Sequence, residues 1–357
     1  MQQLIVQKAS DIMSLIDKVS VSTQELPLRV PFRTSRHVVT RASSVRVTIT
    51  LENGLVGVGS GTPNEVVTGD TMASLEAILQ ELTPTLIGAD LNDWTALLAR
   101  VQGLITGNGP AKAAIELALY DLRAQSFGVD LPTLLGARQA RVESDMTISI
   151  HPLPEMIAEA KQIAAQGFRA VKIKVGGGYL DDDLQRIQMI ADALGPGHQL
   201  RLDANQAWTV AEAAEALRAL AATHLPIEFV EQPVAANDVA GMRALTAMHL
   251  LPIMADESVF SYADALNILA QHAADYVNIK LMKTGGLSEA TKINAACAAR
   301  HVPCMVGAMI EPSTSLRAAV AFAAAHPNVH FVDLDPIFMV ADAQPGLATD
   351  GPVLMFD

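Results

Sequence analysis

Positive charge is scarce in this sequence. Its 357 residues hold 25 lysines and arginines against 38 aspartates and glutamates, a formal charge of −13. So acidic a chain repels phosphate backbones and anionic headgroups, which excludes non-specific binding to nucleic acid or to an anionic membrane. Cysteine is scarcer still: Cys297 and Cys304 are the only two. That excludes a disulfide framework, the spacing is not that of a zinc site, and two reduced thiols fit a cytoplasmic protein. No apolar run approaches the ~18 residues that cross a bilayer, so no membrane span is expected. The opening "MQQLIVQKASDIMSLIDK" has no basic leader and no small-residue cleavage site, so no signal peptide is expected.

What is present is a chain that is 50% hydrophobic, with material for one large or two ordinary domains. Residues 1–18 read as an N-terminal extension. Its Leu4, Ile5, Ile12, Leu15 and Ile16 suit a short amphipathic helix packed on the body or on a partner chain. Segment 43–51, "SSVRVTITL", alternates like a strand, "ENG" follows as a turn, and "LVGVGS" returns as a hairpin partner. Helical periodicity marks 70–82, 91–106 and 110–126, the last opened by Pro110 with Ile115, Leu119 and Leu122 on one face. These make an α+β capping module over 19–140.

From about residue 144 the pattern changes to eight short apolar runs, most of them separated by alanine-rich helical stretches such as 155–166 and 210–222. The runs are "SDMTISI", "RAVKIKV", "QLRLD", "PIEFVE", "PIMAD", "DYVNIKL", "PCMVGA" and "VHFVD". Strand–helix alternation implies parallel strands joined by right-handed crossovers, and eight units predict a (β/α)₈-type barrel over 141–335. The segment 336–357 is expected to return to the capping module and complete it. The fold class is therefore α/β.

Catalytic groups of such barrels stand at the C-terminal ends of the strands. Here those positions hold Thr147 on the first strand, Lys172 and Lys174 on the second, Asp203, Glu231 and Asp256 on the third to fifth, and Lys280 on the sixth. Asp333 and Asp335 stand on the eighth. A lone Asp at a strand end most often caps the following helix. Three carboxylates ending three consecutive strands are different, because without a cation they repel one another. An all-oxygen set with no histidine suits Mg²⁺ rather than zinc, one ion per subunit.

"RAVKIKV" poses its own question, since Lys172 and Lys174 share one face of a strand whose other face is Val171, Ile173 and Val175. In an eight-stranded ring the second and sixth strands are opposite, so Lys174 and Lys280 approach a central substrate from two sides. Lys172 beside Lys174, and the nearby metal, are each expected to lower a lysine pKa toward the range where a neutral amine acts as base. A cation holding a substrate carboxylate stabilises the enediolate left when an α-proton departs, and two bases across that plane racemise or epimerise it. Asp333 and Asp335, on a strand opposite the fourth and hence far from the metal, favour a cationic substrate group. A short zwitterion such as a dipeptide has that shape.

The same residues carry a resemblance. "AAIELALYDLRAQ", "KIKVG", "LRLDANQAW", "VEQPV", "MADESV" and "NIKLMKTGG", with "DLD" at 333–335, resemble the enolase superfamily from about residue 17 onward. The likeness is to its muconate-lactonizing-enzyme subgroup, and within it to the dipeptide epimerases of the L-Ala-D/L-Glu kind. It implies an isomerase that moves the α-proton of the C-terminal residue of a dipeptide, in cell-wall peptide recycling. Asp203, Glu231 and Asp256 would be Mg²⁺ ligands, Lys174 and Lys280 the two acid/base groups, and Lys172 their support. Asp333 and Asp335 would bind the substrate ammonium. Thr147 and Met309 are added as substrate contacts. Two cap loops, "VPFRTSRH" (30–37) and "TPNEVVTGD" (62–70), would select side chains, with Arg33 and Arg36 as candidate readers of an acidic one beside His37. A cytoplasmic homo-oligomer is expected. The alternatives within the subgroup are an N-acylamino acid racemase, an o-succinylbenzoate synthase or a cycloisomerase, whose substrates have no ammonium for "DLD". Outside it stands a non-catalytic binding protein on the same barrel.

Overall fold

The computed structural model describes residues 14–33, 38–341 and 346–356. In it, the alternation of Val45, Val47 and Ile49 with Ser44, Arg46 and Thr48 becomes the middle strand of an antiparallel sheet. β1 (Ile16–Arg33), β2 (Val38–Leu51) and β3 (Val56–Gly61) lie in that order. β2 and β3 form the expected hairpin, with Thr50 opposite Val56 and Val45 opposite Gly61. Most of the expected N-terminal helix, with Leu4, Ile5 and Ile12, falls outside the described residues. Its last two apolar positions are extended rather than helical: Leu15 bridges Asp90, and Ile16 opens β1. β1 is hard to see in sequence because it carries Pro27 and Pro31, and its pairing with β2 slips between Pro27 and Phe32. An edge strand tolerates this, since its outward N–H groups need no partner strand.

Val45, Val47 and Ile49 bury against Leu75, Leu79, Ile115 and Leu119 of the helices Met72–Leu82 and Gly109–Ser126. The second helix lies unusually close to β3. A Cβ on Gly57, Gly59 or Gly61 would fall 2.3, 2.1 or 2.1 Å from the main-chain oxygen of Ala118, Ala114 or Pro110. Alternate strand residues are about 6.6 Å apart and every fourth helix residue about 6.0 Å, so glycines two apart meet helix positions four apart.

After β4 (Arg141–Glu143), the eight predicted runs form eight parallel strands. These are β5 (Met146–Ile148), β6 (Ala170–Lys174), β7 (Gln199–Asp203), β8 (Ile227–Glu231), β9 (Ile253–Ala255), β10 (Tyr276–Lys280), β11 (Cys304–Gly307) and β12 (Val329–Asp333), ordered as in sequence. Helices such as Leu153–Ala165 and Val210–Ala222 cross between them, while β12 is followed only by the single turn Pro336–Met339. Between β12 and β5 the ring is sealed by Asp145 N to Val332 O (3.2 Å), Leu334 N to Ser144 Oγ (2.8 Å) and Thr147 N to Asp335 Oδ2 (2.9 Å). Val171, Ile173 and Val175 face the helices in the main core, which turns Lys172 and Lys174 into the lumen. Phe229, Met254 and Met305, with Tyr276 and Phe331, form a separate apolar cluster of their own.

The last strands, β13 (Leu347–Asp350) and β14 (Val353–Phe356), pair with each other and with β4. The chain touches the cap just before them, where Val340 bridges Leu28 and Ala341 N donates to Pro27 O at 2.8 Å. Among the described residues no helix is long and apolar enough to cross a membrane.

Candidate active site

Strand register brings the chemistry to one level. Lys174 is paired with Asp203 and Asp203 with Glu231, while Lys280 is paired with Gly307 and Gly307 with Asp333. β6 and β10 are four strands apart in the ring of eight, so Lys174 and Lys280 stand on opposite sides. Gly307 makes room for one of them, since a Cβ there would lie 3.1 Å from Lys280 Cε.

Lysines knit the carboxylates together. Lys172 Nζ lies 2.7 Å from Glu231 Oε2, 2.8 Å from Asp333 Oδ2 and 3.1 Å from Asp203 Oδ2. Lys174 Nζ is 2.5 Å from Asp203 Oδ2, and Lys280 Nζ 2.7 Å from Asp256 Oδ2. Asn278 Nδ2 donates to Glu231 Oε1 at 2.8 Å. Asp333 is therefore not remote from the carboxylate trio, as the opposite-strand reading has it. The lumen is narrow enough for one ammonium to touch the third, fourth and eighth strands at once.

The acids in contact set the charge of two of these lysines. Burial works to lower the Lys172 and Lys280 pKa values, but the carboxylates outweigh it. Asp203, Asp333 and Glu231 hold Lys172 well above the usual lysine range, and Asp256 holds Lys280 above it. Burial alone would raise Asp203, yet Lys172 and Lys174 bring it down to about 2. Glu231 goes the other way, pushed up to about 7 by burial and by Asp203.

The trio fits a hard cation on its own chemistry. All three side chains are buried oxygen donors, and two of their atoms, Glu231 Oε2 and Asp256 Oδ1, accept no well-aligned hydrogen bond despite an adjacent ammonium. A second acidic group was only half foreseen. Asp145, Asp333 and Asp335 each place one oxygen within 4.8 Å of the others. Burial, with Asp333 beside them, pushes Asp335 up to about 7 and Asp145 well above the carboxylate range. Asp145 is missed in sequence although it shares a strand face with Thr147, two residues on. It is held from below by Arg201 Nη1 at 2.7 Å.

Over these groups lies a cavity of about 500 Å³ between barrel and cap. Thr147, Lys172, Lys174, Lys280, Met309, Asp333 and Asp335 line its floor, and Phe32, Asn64 and Asp70 line its roof. The loop 62–70 is tied to the barrel by Asn64 Nδ2, 3.6 Å from Met309 Sδ. Arg33 does not line the cavity: it is exposed, because the pleat turns Phe32 inward and its neighbour out. Arg36 and His37 lie outside the described residues. Asp70 escaped sequence reading. It is buried in the cavity wall with Oδ2 unpartnered among the described residues.

Comparison with known proteins agrees with this geometry. Residues 16–136 match the family model of the mandelate racemase / muconate lactonizing enzyme N-terminal domain, and residues 155–351 match that of the enolase C-terminal domain-like family. The chain is 44% identical to the L-Ala-D/L-Glu epimerase of Bacillus subtilis (strain 168), over 93% of its own length and 91% of that enzyme's. A substrate-liganded complex of the L-Ala-D/L-Glu epimerase from Bacillus subtilis superposes with a TM-score of 0.94 at 42% identity, covering 96% of each chain. The dipeptide epimerase of Enterococcus faecalis V583, complexed with Mg and the dipeptide L-Leu-L-Tyr, superposes with a TM-score of 0.91 at 36% identity, covering 96% of this chain and 97% of that one.

Proposed function

Since the chain belongs to the mandelate racemase / muconate lactonizing enzyme family of enolase-like barrels and is an isomerase of the epimerase kind, we propose that it epimerises dipeptides by a 1,1-proton transfer at the α-carbon of the C-terminal residue. L-Ala-L-Glu to L-Ala-D-Glu, or a similar L,L to L,D pair, is the reaction. The observation that carries this is the placement of Lys174 and Lys280 on opposite strands, each against a different member of the carboxylate trio.

Asp203, Glu231 and Asp256 would hold one Mg²⁺ per subunit, which when bound supplies positive charge to stabilise the carbanion formed on loss of the α-proton. Lys174 and Lys280 exchange the proton on the two faces, one as base and the other as acid. Lys172 bridges the two acidic groups and keeps their spacing. Asp333 and Asp335 accept the substrate's α-ammonium, and Thr147 and Met309 complete the wall. Arg36, in the first cap loop, is the candidate reader of an acidic side chain. The same reading takes the enzyme as a cytoplasmic homo-oligomer, with an extension at 1–18, a cap over 19–140, a barrel over 141–335 and a closing segment over 336–357.

The test is proton NMR of L-Ala-L-Glu with enzyme and Mg²⁺ in deuterated water, beside hydrophobic and cationic dipeptides. Loss of the C-terminal α-proton signal with growth of the L,D diastereomer is expected. No exchange in any dipeptide, with exchange in N-acylamino acids, would overturn the reading.

A further inference from the structure

"NIKLMKTGG" carries two lysines, and only the first is used above. Lys280 ends β10, and Leu281–Thr284 then makes a single helical turn. Positions three apart share a helix face, so Lys283 comes back beneath Lys280 toward the same partner. Its side chain is completely buried, and it is absent from the cavity wall that Lys280 helps to form. Three oxygens surround Lys283 Nζ: Asp256 O at 2.5 Å, Asp256 Oδ1 at 2.6 Å and Asn278 O at 3.0 Å. The two main-chain oxygens take hydrogen bonds and Oδ1 is an ion-pair neighbour, so the ammonium is turned wholly toward protein oxygens and away from the cavity. The Phe260 ring, 5.6 Å from Nζ, covers it further.

Asp256 is thus held differently at its two ends. Its main-chain oxygen and Oδ1 belong to Lys283, while Oδ2 alone meets Lys280, 2.7 Å away on the cavity side. Asn278 shares in the arrangement, offering its carbonyl to Lys283 and its side-chain amide to Glu231. We infer that Lys283 is the positioning residue for Asp256: it holds the residue by its main-chain oxygen and by charge beside Oδ1, and so keeps the carboxylate aimed at the cation site next to Lys280. The inference rests on the metal-dependent reading above and adds a residue that acts through Asp256 rather than on the substrate.

Electrostatics and positioning make opposite forecasts here. Removing a positive charge beside a cation site tightens cation binding if charge is all that matters. Removing a clamp weakens it, by about 10- to 100-fold for groups that orient metal ligands. The experiment is calorimetric titration of Mg²⁺, and of Mn²⁺ as a second probe, into metal-free wild type, Lys283→Met and Lys283→Arg without substrate, with thermal melts showing that each variant folds. Weaker binding in Lys283→Met, partly restored in Lys283→Arg, is expected. Unchanged or tighter binding in a folded Lys283→Met overturns the inference.

A second measurement covers a variant that folds poorly. Deuterium exchange is followed separately from the L,L and L,D diastereomers. Loss of a clamp on Asp256 slows one diastereomer more than the other, because Lys280 touches Asp256 and Lys174 touches Asp203. Equal slowing of both marks Lys283 as a packing residue only and overturns the inference. If wild type binds Mg²⁺ but exchanges no dipeptide, the proposed reaction fails while the calorimetric comparison still decides the role of Lys283.

Discussion

Lys174 and Lys280 differ in their partners, and single substitutions separate them. Lys174→Ala and Lys280→Ala are each expected to abolish epimerisation while leaving α-proton exchange in one diastereomer, the opposite one in each variant. Proton NMR in deuterated water reads both, and full epimerisation by either variant removes the two-base model. Asp333→Asn is expected to lower kcat/KM for a dipeptide by at least about tenfold, since a buried charge-assisted contact is lost. Steady-state kinetics against an N-acylated analogue, whose rate has no ammonium to lose, checks the cause. These residues are legible in sequence because a barrel repeats: one polar side chain per strand end, at intervals of 24 to 29 residues from Lys174 to Lys280. Asp145 and Lys283 are not legible in that way. Each acts through a neighbour, and neighbours across a ring are set by register, which no local pattern encodes. The raised pKa values of Lys172 and Lys280 are not legible for the same reason: their decisive partners are on other strands.

At the scale of elements, two joints bear the cap. The glycine stripe of β3 is the first. Gly59→Ala would drive a methyl group to 2.1 Å from Ala114 O, an overpacking expected to cost about 1–3 kcal/mol, visible as an earlier thermal melt. The second is Glu116, on the cap helix Gly109–Ser126 and fully buried. It accepts from Ser288 N (2.6 Å), Ser288 Oγ (2.7 Å) and Gln102 Nε2 (2.8 Å), so it caps the barrel helix Leu287–Ala299 from another domain. Burial raises its pKa above 4.5 despite those bonds. A raised carboxyl favours the folded state when protonated, so its contribution is whole below 4.5 and fades as pH rises through the folded value. Glu116→Gln is therefore expected to gain stability relative to wild type as pH climbs from 4 to 7, and a series of urea melts measures it. A falling difference would exclude this assignment. The hairpin β2–β3 and the helix were both plain in sequence; the joint was not, because a glutamate inside "AAIELALYDLRAQ" looks like any helical surface charge.

For the whole molecule, the cavity belongs to neither domain alone, with its floor from seven of the eight strand ends and its roof from cap loops. Removing divalent cations with a chelator is expected to abolish epimerisation reversibly. Adding Mg²⁺ back should also raise the melting temperature, as any ligand of the folded state does. Calorimetry with and without chelator tests both. The barrel was readable because eight runs alternate with helices over nearly 200 residues. β1 and the closing sheet were not, since prolines interrupt the first and the second pairs strands from 141–143 with strands from 347–356.

Asp335 faces the cavity and yet accepts from Thr147 N across the only gap in the ring's backbone ladder among the described residues. On the proposed function, recognition and closure would share one side chain, and drift toward ligands without a cationic end would be channelled. Asp335→Asn would drop the charge and keep an acceptor for Thr147 N, whereas Asp335→Ala would remove one of the three hydrogen bonds that join the first strand to the last. Specificity here has fewer exits than the size of the cavity suggests.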